Sequence, residues 1–268
     1  IMGKWIRRII VIIVVLAVVL EGVLQIYVGI ERKKRAEAPG NAEKYDAANL
    51  EKNSGSALEG KTIIFLGSSV TEGAAAEGQS FVELFEHQDG VQAVKEAKSG
   101  TTLVDSISIP ALLTFGNGKS YVSRIKKLDE EMDVDCVVCQ LSTNDATMGK
   151  ELGEVSEAES QEGFDTSTVT GAMEYIIAYV KEIWDCPVVF YTRSYYESDE
   201  YASMVERLYD LQEKWGIGII DLYSDKEFNA IDEDAYGFYM YDEIHPTKAG
   251  YEEWWMPEME KQLEEILK

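Results

Sequence analysis

Four short polar segments carry the residue types needed for serine-based acyl chemistry. Residues 67–69 read Gly-Ser-Ser directly after an apolar run, and each hydroxyl is a candidate nucleophile. A serine attacks an ester when a base accepts its proton and hydrogen-bond donors stabilise the oxyanion that forms. The candidate base is His245, and Asp242 precedes it by three residues in "YDEIHP" and could hold its other ring nitrogen. The fold must bring these distant segments together.

The segments "SGTT" at 99–102 and "STND" at 142–145 offer the donors. The backbone N–H groups of Ser69 and Gly100 and the side-chain amide of Asn144 could face the oxyanion. Gly100 suits this position because a residue without a Cβ lets its backbone approach a substrate closely. Taken singly, such segments are typical of helix caps and turns, so the hypothesis depends on all four occurring at one edge of a sheet.

Short apolar runs alternate with helical patterns from residue 61 onward. Strands are predicted in "KTIIFLG", "VQAVKEAKSG", "VDCVVCQLS", "PVVFYT" and "GIGIIDLY". Continuously apolar strands separated by helices indicate a mostly parallel sheet covered on both faces, which is a three-layer α/β/α sandwich. Ligands bind beyond the carboxyl ends of such strands, where the polar segments lie. A long polar insertion at about 147–168 is expected to shape the rim of the site.

The segments "GSSVTEG", "SG", "STND" and "DEIHP" resemble, in order and rough spacing, the four signature blocks of the SGNH hydrolases, also called the GDSL esterase/lipase superfamily. The resemblance covers roughly residues 61–268, and the insertion at about 147–168, the tether and the anchor lie outside it. It implies a five-stranded flavodoxin-like sheet and an esterase mechanism that uses no metal or cofactor. It also implies these roles: Ser69 as nucleophile, Asp242 as orienting acid, His245 as base, and Ser69, Gly100 and Asn144 as oxyanion donors.

Two positions depart from the family pattern. Ser68 replaces the aspartate of Gly-Asp-Ser, and Ser142 replaces the glycine of the third block. That aspartate is not a triad member in the family, so the chemistry can survive its loss. The subfamily and the substrate stay open.

Other motifs in the sequence point less clearly to chemistry. The G-x-S-x-G elbow of the α/β-hydrolases is absent because Thr71 stands at its last position. His87 is the only other histidine and lies in a helical pattern, where a solvated or capping role is expected. Cys136 and Cys139 form a C-x-x-C within a strand, which places them on opposite faces of the sheet and favours packing over metal binding.

The N-terminal segment has the composition of a membrane anchor. Ile9 to Leu20 carry no polar side chain, and the apolar character continues to Ile30, which is enough helix to cross a bilayer. We expect an anchor at 1–35 with a transmembrane helix at about 9–30, a flexible tether at 36–60 and a catalytic domain at 61–268. A cleaved signal peptide is the rival interpretation, although no small-x-small site closely follows Leu20.

The charge distribution argues against one class of partner but does not decide the membrane topology. The net charge is −24, and residues 1–35 are net +5, which leaves −29 on the rest of the chain and argues against a nucleic-acid partner. Cations flank the apolar helix almost equally, so the positive-inside rule does not decide its orientation. The short N-terminal tail and the frequent export of SGNH enzymes with such segments favour an extracytoplasmic domain. The oligomeric state stays open.

The leading hypothesis is a membrane-anchored serine esterase. It would hydrolyse an acyl ester, of short chain such as acetyl, on a carbohydrate or another small molecule. One alternative is an O-acyltransferase that passes the acyl group to a glycan hydroxyl with the same triad. Another is a non-catalytic ligand-binding domain on the same fold, although the joint presence of all the site residues argues against it.

Overall fold

The computed structural model describes residues 2–116 and 118–268. Within these residues one sheet contains the strands β1 (Thr62–Gly67), β2 (Gln92–Ala97), β3 (Cys136–Gln140), β4 (Val188–Tyr191) and β5 (Gly218–Ile220). Its order is β2-β1-β3-β4-β5, and every neighbouring pair is parallel. This is the flavodoxin-like order, so the expected sheet is confirmed.

Helices cover both faces of the sheet. Those of the described residues are α1 (Met2–Ala36), α2 (Ser69–Glu72), α3 (Phe81–Gln88), α4 (Ile109–Phe115), α5 (Tyr121–Ile125), α6 (Thr143–Thr147), α7 (Val169–Ile183), α8 (Asp199–Trp215), α9 (Glu233–Tyr239) and α10 (Met256–Ile266), with a π-helical turn at Gly250–Trp255 before α10. The three-layer architecture is thus confirmed.

Alternate residues of the strands pack into two separate hydrophobic cores, one on each face of the sheet. Ile64 and Val137 pack with α5, α7 and α8, whereas Ile63 and Phe65 pack with α3, α10 and the π-helical turn. The strands are apolar on both sides because each face is covered by helices. Cys136 lies in the second core and Cys139 in the first, both as buried free thiols. Burial raises the pKa of each, as expected of packing residues.

Helix α1 stands out from the rest of the molecule. Its apolar part is exposed along its length, and Lys4–Ala36 is long and apolar enough to cross a membrane, with a mean hydropathy of 3.0 in its most apolar window. The same description fits a signal sequence.

The segment after α1 differs from the flexible tether that its composition predicts. Residues 39–49 form three short 3₁₀ turns, at Pro39–Asn41, Glu43–Tyr45 and Ala47–Asn49. Asn41 and Tyr45 are buried against the domain that contains the sheet, as is Leu58 further on. Consecutive 3₁₀ turns have no helical or strand periodicity, so the sequence gives no packing signal here.

The insertion at 147–168 is held by two helices. Lys214 of α8 donates to the carbonyl oxygens of Ser156 and Ala158 and pairs with Glu174 of α7 at 2.6 Å. The Glu174 side chain also accepts the backbone N–H of Ser156 at 2.9 Å. These bonds fix the insertion on the face formed by α7 and α8.

Candidate active site

A tight turn between β1 and α2 positions Ser69. A Cβ at Gly67 would lie 1.8 Å from Thr71 Oγ1, so the end of β1 accepts only glycine. The short helix ends at Glu72 and is capped by Gly73, whose φ of 75° lies in the left-handed region. Ser69 therefore begins α2, where a helix leaves its first N–H groups without intrahelical partners. One residue at this turn can offer both a hydroxyl and a free backbone donor.

The two adjacent serines point in different directions. Ser69 Oγ lies 2.8 Å from Nε2 of His245. Ser68 is fully buried, and its backbone N–H donates to Gln140 Oε1 at 2.9 Å. The Ser68 hydroxyl lies 3.4 Å from the same oxygen. The structure thus brings Ser69, and not Ser68, to the histidine.

Asp242 holds the other side of the imidazole. Its two carboxylate oxygens lie 2.8 and 2.9 Å from His245 Nδ1. Oδ1 also accepts the backbone N–H groups of Ile244 at 2.9 Å and His245 at 2.8 Å. Burial alone would raise the pKa of Asp242, but hydrogen bonds from His245 and these amides lower it to about 2. The carboxylate is therefore ionised at neutral pH and favours a proton on Nδ1.

Gly100 and Asn144 meet at the ends of β2 and β3. Gly100 has φ = 73°, which only glycine adopts without strain. Asn144 Nδ2 donates to the carbonyl oxygen of Thr101 at 2.8 Å, so the amide lies beside the Gly100 loop. An amide nitrogen carries two hydrogens, and this bond uses one of them.

Two carboxylate side chains hold this loop in place through hydrogen bonds. They are not among the residues that the sequence analysis singled out. Glu72 accepts the backbone N–H of Ser99 at 2.8 Å and the Ser99 hydroxyl. Asp145 is fully buried and accepts the N–H groups of Leu103 at 2.8 Å and Val104 at 3.2 Å. Burial raises the pKa of Asp145, against the lowering effect of its hydrogen bonds. The two side chains fix both ends of the loop that carries Gly100.

Gln140 supports the β1–α2 turn from the neighbouring strand. Its Oε1 accepts Thr71 Oγ1 at 2.8 Å as well as the Ser68 N–H, and Tyr191 lies 2.7 Å from the same Thr71 hydroxyl. Gln140 is the only polar residue in "CVVCQ", which is a signal that sequence reasoning could have used. These bonds attach the turn that carries Ser69 to the neighbouring strand β3.

Arg193 supports the loop that carries Asp242. It follows β4, is almost fully buried, and donates to the carbonyl oxygen of Glu243. Its guanidinium lies 4.4 Å from the ring centre of Tyr196, and burial lowers its pKa. A cavity of about 410 Å³ beside it is lined by Tyr196, Glu197, Tyr236 and Glu243.

The remaining histidine lies elsewhere. His87 Nε2 is 3.0 Å from the carbonyl oxygen of Leu50, which holds the segment after α1 against α3. In residues 2–116 and 118–268 we find no cluster of three or more His, Cys, Asp or Glu side chains arranged to hold a metal ion. The assembled groups are a hydroxyl, an imidazole, a carboxylate and amide donors, which is the set required for acyl transfer through a serine.

Comparison with known proteins identifies the family to which the chain belongs. The model of the GDSL-like Lipase/Acylhydrolase family matches residues 65–253, a span that includes every residue of the candidate site. The chain therefore belongs to this hydrolase family, as its resemblance to the SGNH enzymes predicts. A comparison with curated proteins finds no match.

Solved structures share the fold at low sequence identity. A candidate GDSL-like lipase from Bacteroides ovatus matches with a TM-score of 0.54 and 18% identity, over 77% of this chain and 97% of that one. A protein from Lactobacillus plantarum matches with a TM-score of 0.56 and 19% identity, over 78% and 97%. A carbohydrate esterase family 2 enzyme with a carbohydrate-binding domain, from Corynascus thermopiles (Myceliophthora fergusii), matches with a TM-score of 0.50 and 16% identity, over 78% and 65%.

Proposed function

We propose that the chain is a serine esterase in which Ser69 is the nucleophile, His245 the base and Asp242 the orienting acid. The observation that carries this proposal is the 2.8 Å separation of Ser69 Oγ and His245 Nε2, with Asp242 on the opposite ring nitrogen. An imidazole held in this way accepts a proton at Nε2 because Nδ1 already carries one.

In the first half of the reaction, Ser69 Oγ attacks the carbonyl carbon of the ester while its proton passes to His245. The carbonyl electron pair moves onto oxygen, where the N–H groups of Ser69 and Gly100 and the second hydrogen of Asn144 Nδ2 stabilise the charge. The tetrahedral intermediate then collapses, and the alcohol leaves with the proton from His245. An acyl ester remains on Ser69.

In the second half, water replaces the alcohol. His245 accepts a proton from the water as its oxygen attacks the acyl group, and the same donors stabilise the second oxyanion. Collapse releases the carboxylic acid and returns the proton to Ser69. No cofactor takes part in this sequence.

The substrate that we propose is a short-chain ester, such as an acetyl ester, of a carbohydrate or another small alcohol. The shared fold with a carbohydrate esterase supports this class. The cavity beside Arg193 offers tyrosine rings and the carboxylates of Glu197 and Glu243, which can stack on a sugar and accept its hydroxyl protons.

We further propose that α1 is a single-pass anchor and that the catalytic domain lies on the extracytoplasmic side. The length and exposure of α1 support the anchor. Protease added to intact cells is expected to degrade the domain. Full protection until lysis would place the domain in the cytoplasm.

The direct test is a hydrolysis assay with the full chain against acetylated sugars and matched longer acyl esters. We expect release of acetate, faster than release of longer acids, and no release by Ser69→Ala. Transfer of the acetyl group to an added glycan instead of water would identify an acyltransferase. Binding of the sugar esters without turnover by the wild-type chain would identify a ligand-binding domain.

A further inference from the structure

The C-terminal end of α1 contacts the loop that carries the candidate catalytic residues. Tyr241, the residue before Asp242, donates its hydroxyl to Glu31 at 3.2 Å. The Arg35 guanidinium lies 5.5 Å from the ring centre of Tyr241 and donates to the carbonyl oxygen of Ala74 at 2.9 Å. The backbone N–H of Ala74 in turn donates to the Ser69 carbonyl oxygen at 2.9 Å. The last turns of α1 thus reach both sides of the site.

The turn that follows α1 fixes this arrangement. Asn41 is buried, and its Nδ2 donates to the carbonyl oxygens of Arg35 and Ala75, each at 2.7 Å. Its Oδ1 accepts the backbone N–H of Lys248, three residues beyond His245, at 2.8 Å. Every hydrogen-bonding group of the Asn41 amide is therefore engaged in joining α1 to the two catalytic segments.

Close packing makes the junction rigid. A Cβ on Gly40 would lie 2.3 Å from the carbonyl oxygen of Phe238 and 2.4 Å from Thr247 Oγ1. The Lys248 ammonium pairs with Asp46 at 2.5 Å and Glu77 at 2.6 Å. A flexible tether would let the domain drift from the membrane, whereas this junction ties its position to α1.

The contacts also set the height of the site above the membrane. Glu31 directly follows Ile30, the end of the apolar stretch, and Arg35 lies about 6 Å beyond Glu31 along the helix at 1.5 Å per residue. The headgroup layer extends roughly 5–7 Å beyond the hydrocarbon on each side. For an α1 that spans the bilayer, as proposed above, Tyr241 and the adjoining Asp242 loop therefore lie at the depth of the lipid headgroups.

A second feature suits a lipid surface. Helix α4 and the residue before its cap expose large aliphatic side chains: Ile107, Ile109, Leu112 and Leu113. These residues follow Val104 in the chain, and the backbone N–H of Val104 donates to Asp145, the neighbour of the candidate oxyanion donor Asn144. They therefore lie near the same edge of the sheet as the candidate site. Exposed apolar clusters of this kind commonly mark contact with lipid or apolar ligands.

On the basis of the proposed esterase function, we propose that the substrate is presented by the bilayer that holds α1. It is an amphiphile whose apolar part is embedded and whose polar headgroup carries the acyl ester. The fixed height of the site brings Ser69 to an ester in the headgroup layer of the same membrane. Confinement of enzyme and substrate to one surface raises their effective concentration.

The test uses the full chain in phosphatidylcholine vesicles and two substrates with the same acetylated sugar. One sugar is linked to a lipid in the same vesicles, and the other is free in water at equal bulk concentration. We expect the lipid-linked ester to react at least about 10-fold faster.

The matched variant carries a 20-residue Gly/Ser linker between Val28 and Gly29. It leaves the 20 residues 9–28, all apolar except Glu21 and Gln25, to span the bilayer and keeps every contact of residues 31–41, but adds roughly 25 Å of reach. The control carries the same linker after Lys268. We expect the internal linker to lower the lipid-linked rate about 10-fold and to leave the rate on the free sugar unchanged.

The outcomes separate the two proposals. Equal wild-type rates on the two substrates, or an internal linker without effect on the lipid-linked ester, would overturn membrane presentation while the esterase function stands. Failure of the wild-type chain to hydrolyse either substrate would overturn the esterase function, and membrane presentation with it.

Discussion

Nε2 of His245 lies 2.8 Å from Ser69 Oγ, and Nδ1 of the same ring faces both carboxylate oxygens of Asp242. In the proposed mechanism, this arrangement lets His245 accept the Ser69 proton at Nε2. The other histidine, His87, contacts the Leu50 carbonyl oxygen and has no part in it.

His245→Ala should remove nearly all ester hydrolysis because no other described side chain contacts Ser69 Oγ as a base. His87→Ala is the matched control and should keep wild-type turnover. Steady-state assays of both variants check this. Hydrolysis that survives in His245→Ala at the wild-type rate would remove the histidine from the mechanism.

Asp242 should make stability depend on pH in the acid range. Its pKa of about 2 lies below the ordinary value of about 3.9, so its stabilising effect is present above about pH 4 and is lost as pH falls toward 2. We expect the melting temperature of the wild type to exceed that of Asp242→Asn at pH 6, and this difference to shrink from about pH 4 to 2. A difference that stays constant over this range contradicts the assignment.

Asn144→Ala should reduce turnover far more than substrate affinity. Loss of one oxyanion donor typically costs about 10²–10³ in kcat, because the bond is strongest in the transition state. Circular dichroism should show the fold intact, since only the Thr101 contact is lost. A rise in KM with unchanged kcat would instead make Asn144 a ground-state contact.

Glu260 should make stability depend on pH near neutrality. Burial, followed by the nearby Asp89, raises its pKa to about 7, so its stabilising neutral form is lost as pH rises from about 4.5 through 7. The melting temperature of Glu260→Gln relative to wild type should therefore rise between pH 5 and pH 8. Glu265→Gln, exposed on the same helix, is the control, and identical pH profiles for all three proteins would contradict the shift.

The sequence predicts most of the fold because its five strands are short apolar runs bounded by helices. It also predicts which residues meet, since Ser69, Gly100 and Asn144 each follow a strand that ends at the same edge. The supporting side chains are much less evident from the sequence. Gln140 and Glu72 act through hydrogen bonds to backbone groups of other segments, and those partners are defined only by tertiary packing.

The segment after α1 is a second part of the structure that the sequence does not predict. Its Ala, Asn and Gly content is typical of a flexible coil, yet Asn41 is buried with its whole amide engaged. A buried polar side chain is stabilised by its hydrogen-bond partners. The amino-acid composition of the segment does not show which groups those partners are. The contact between α1 and Tyr241 follows from this same packing.

The identity of the nucleophile tests the proposed mechanism most directly. The wild-type chain of residues 1–268 and its variants Ser68→Ala and Ser69→Ala can be treated with a fluorophosphonate probe, and the labelled peptide located by mass spectrometry. We predict covalent label on Ser69 in the wild type and in Ser68→Ala, and none in Ser69→Ala. Label on Ser68, or undiminished labelling of the Ser69→Ala variant, would contradict the proposed mechanism.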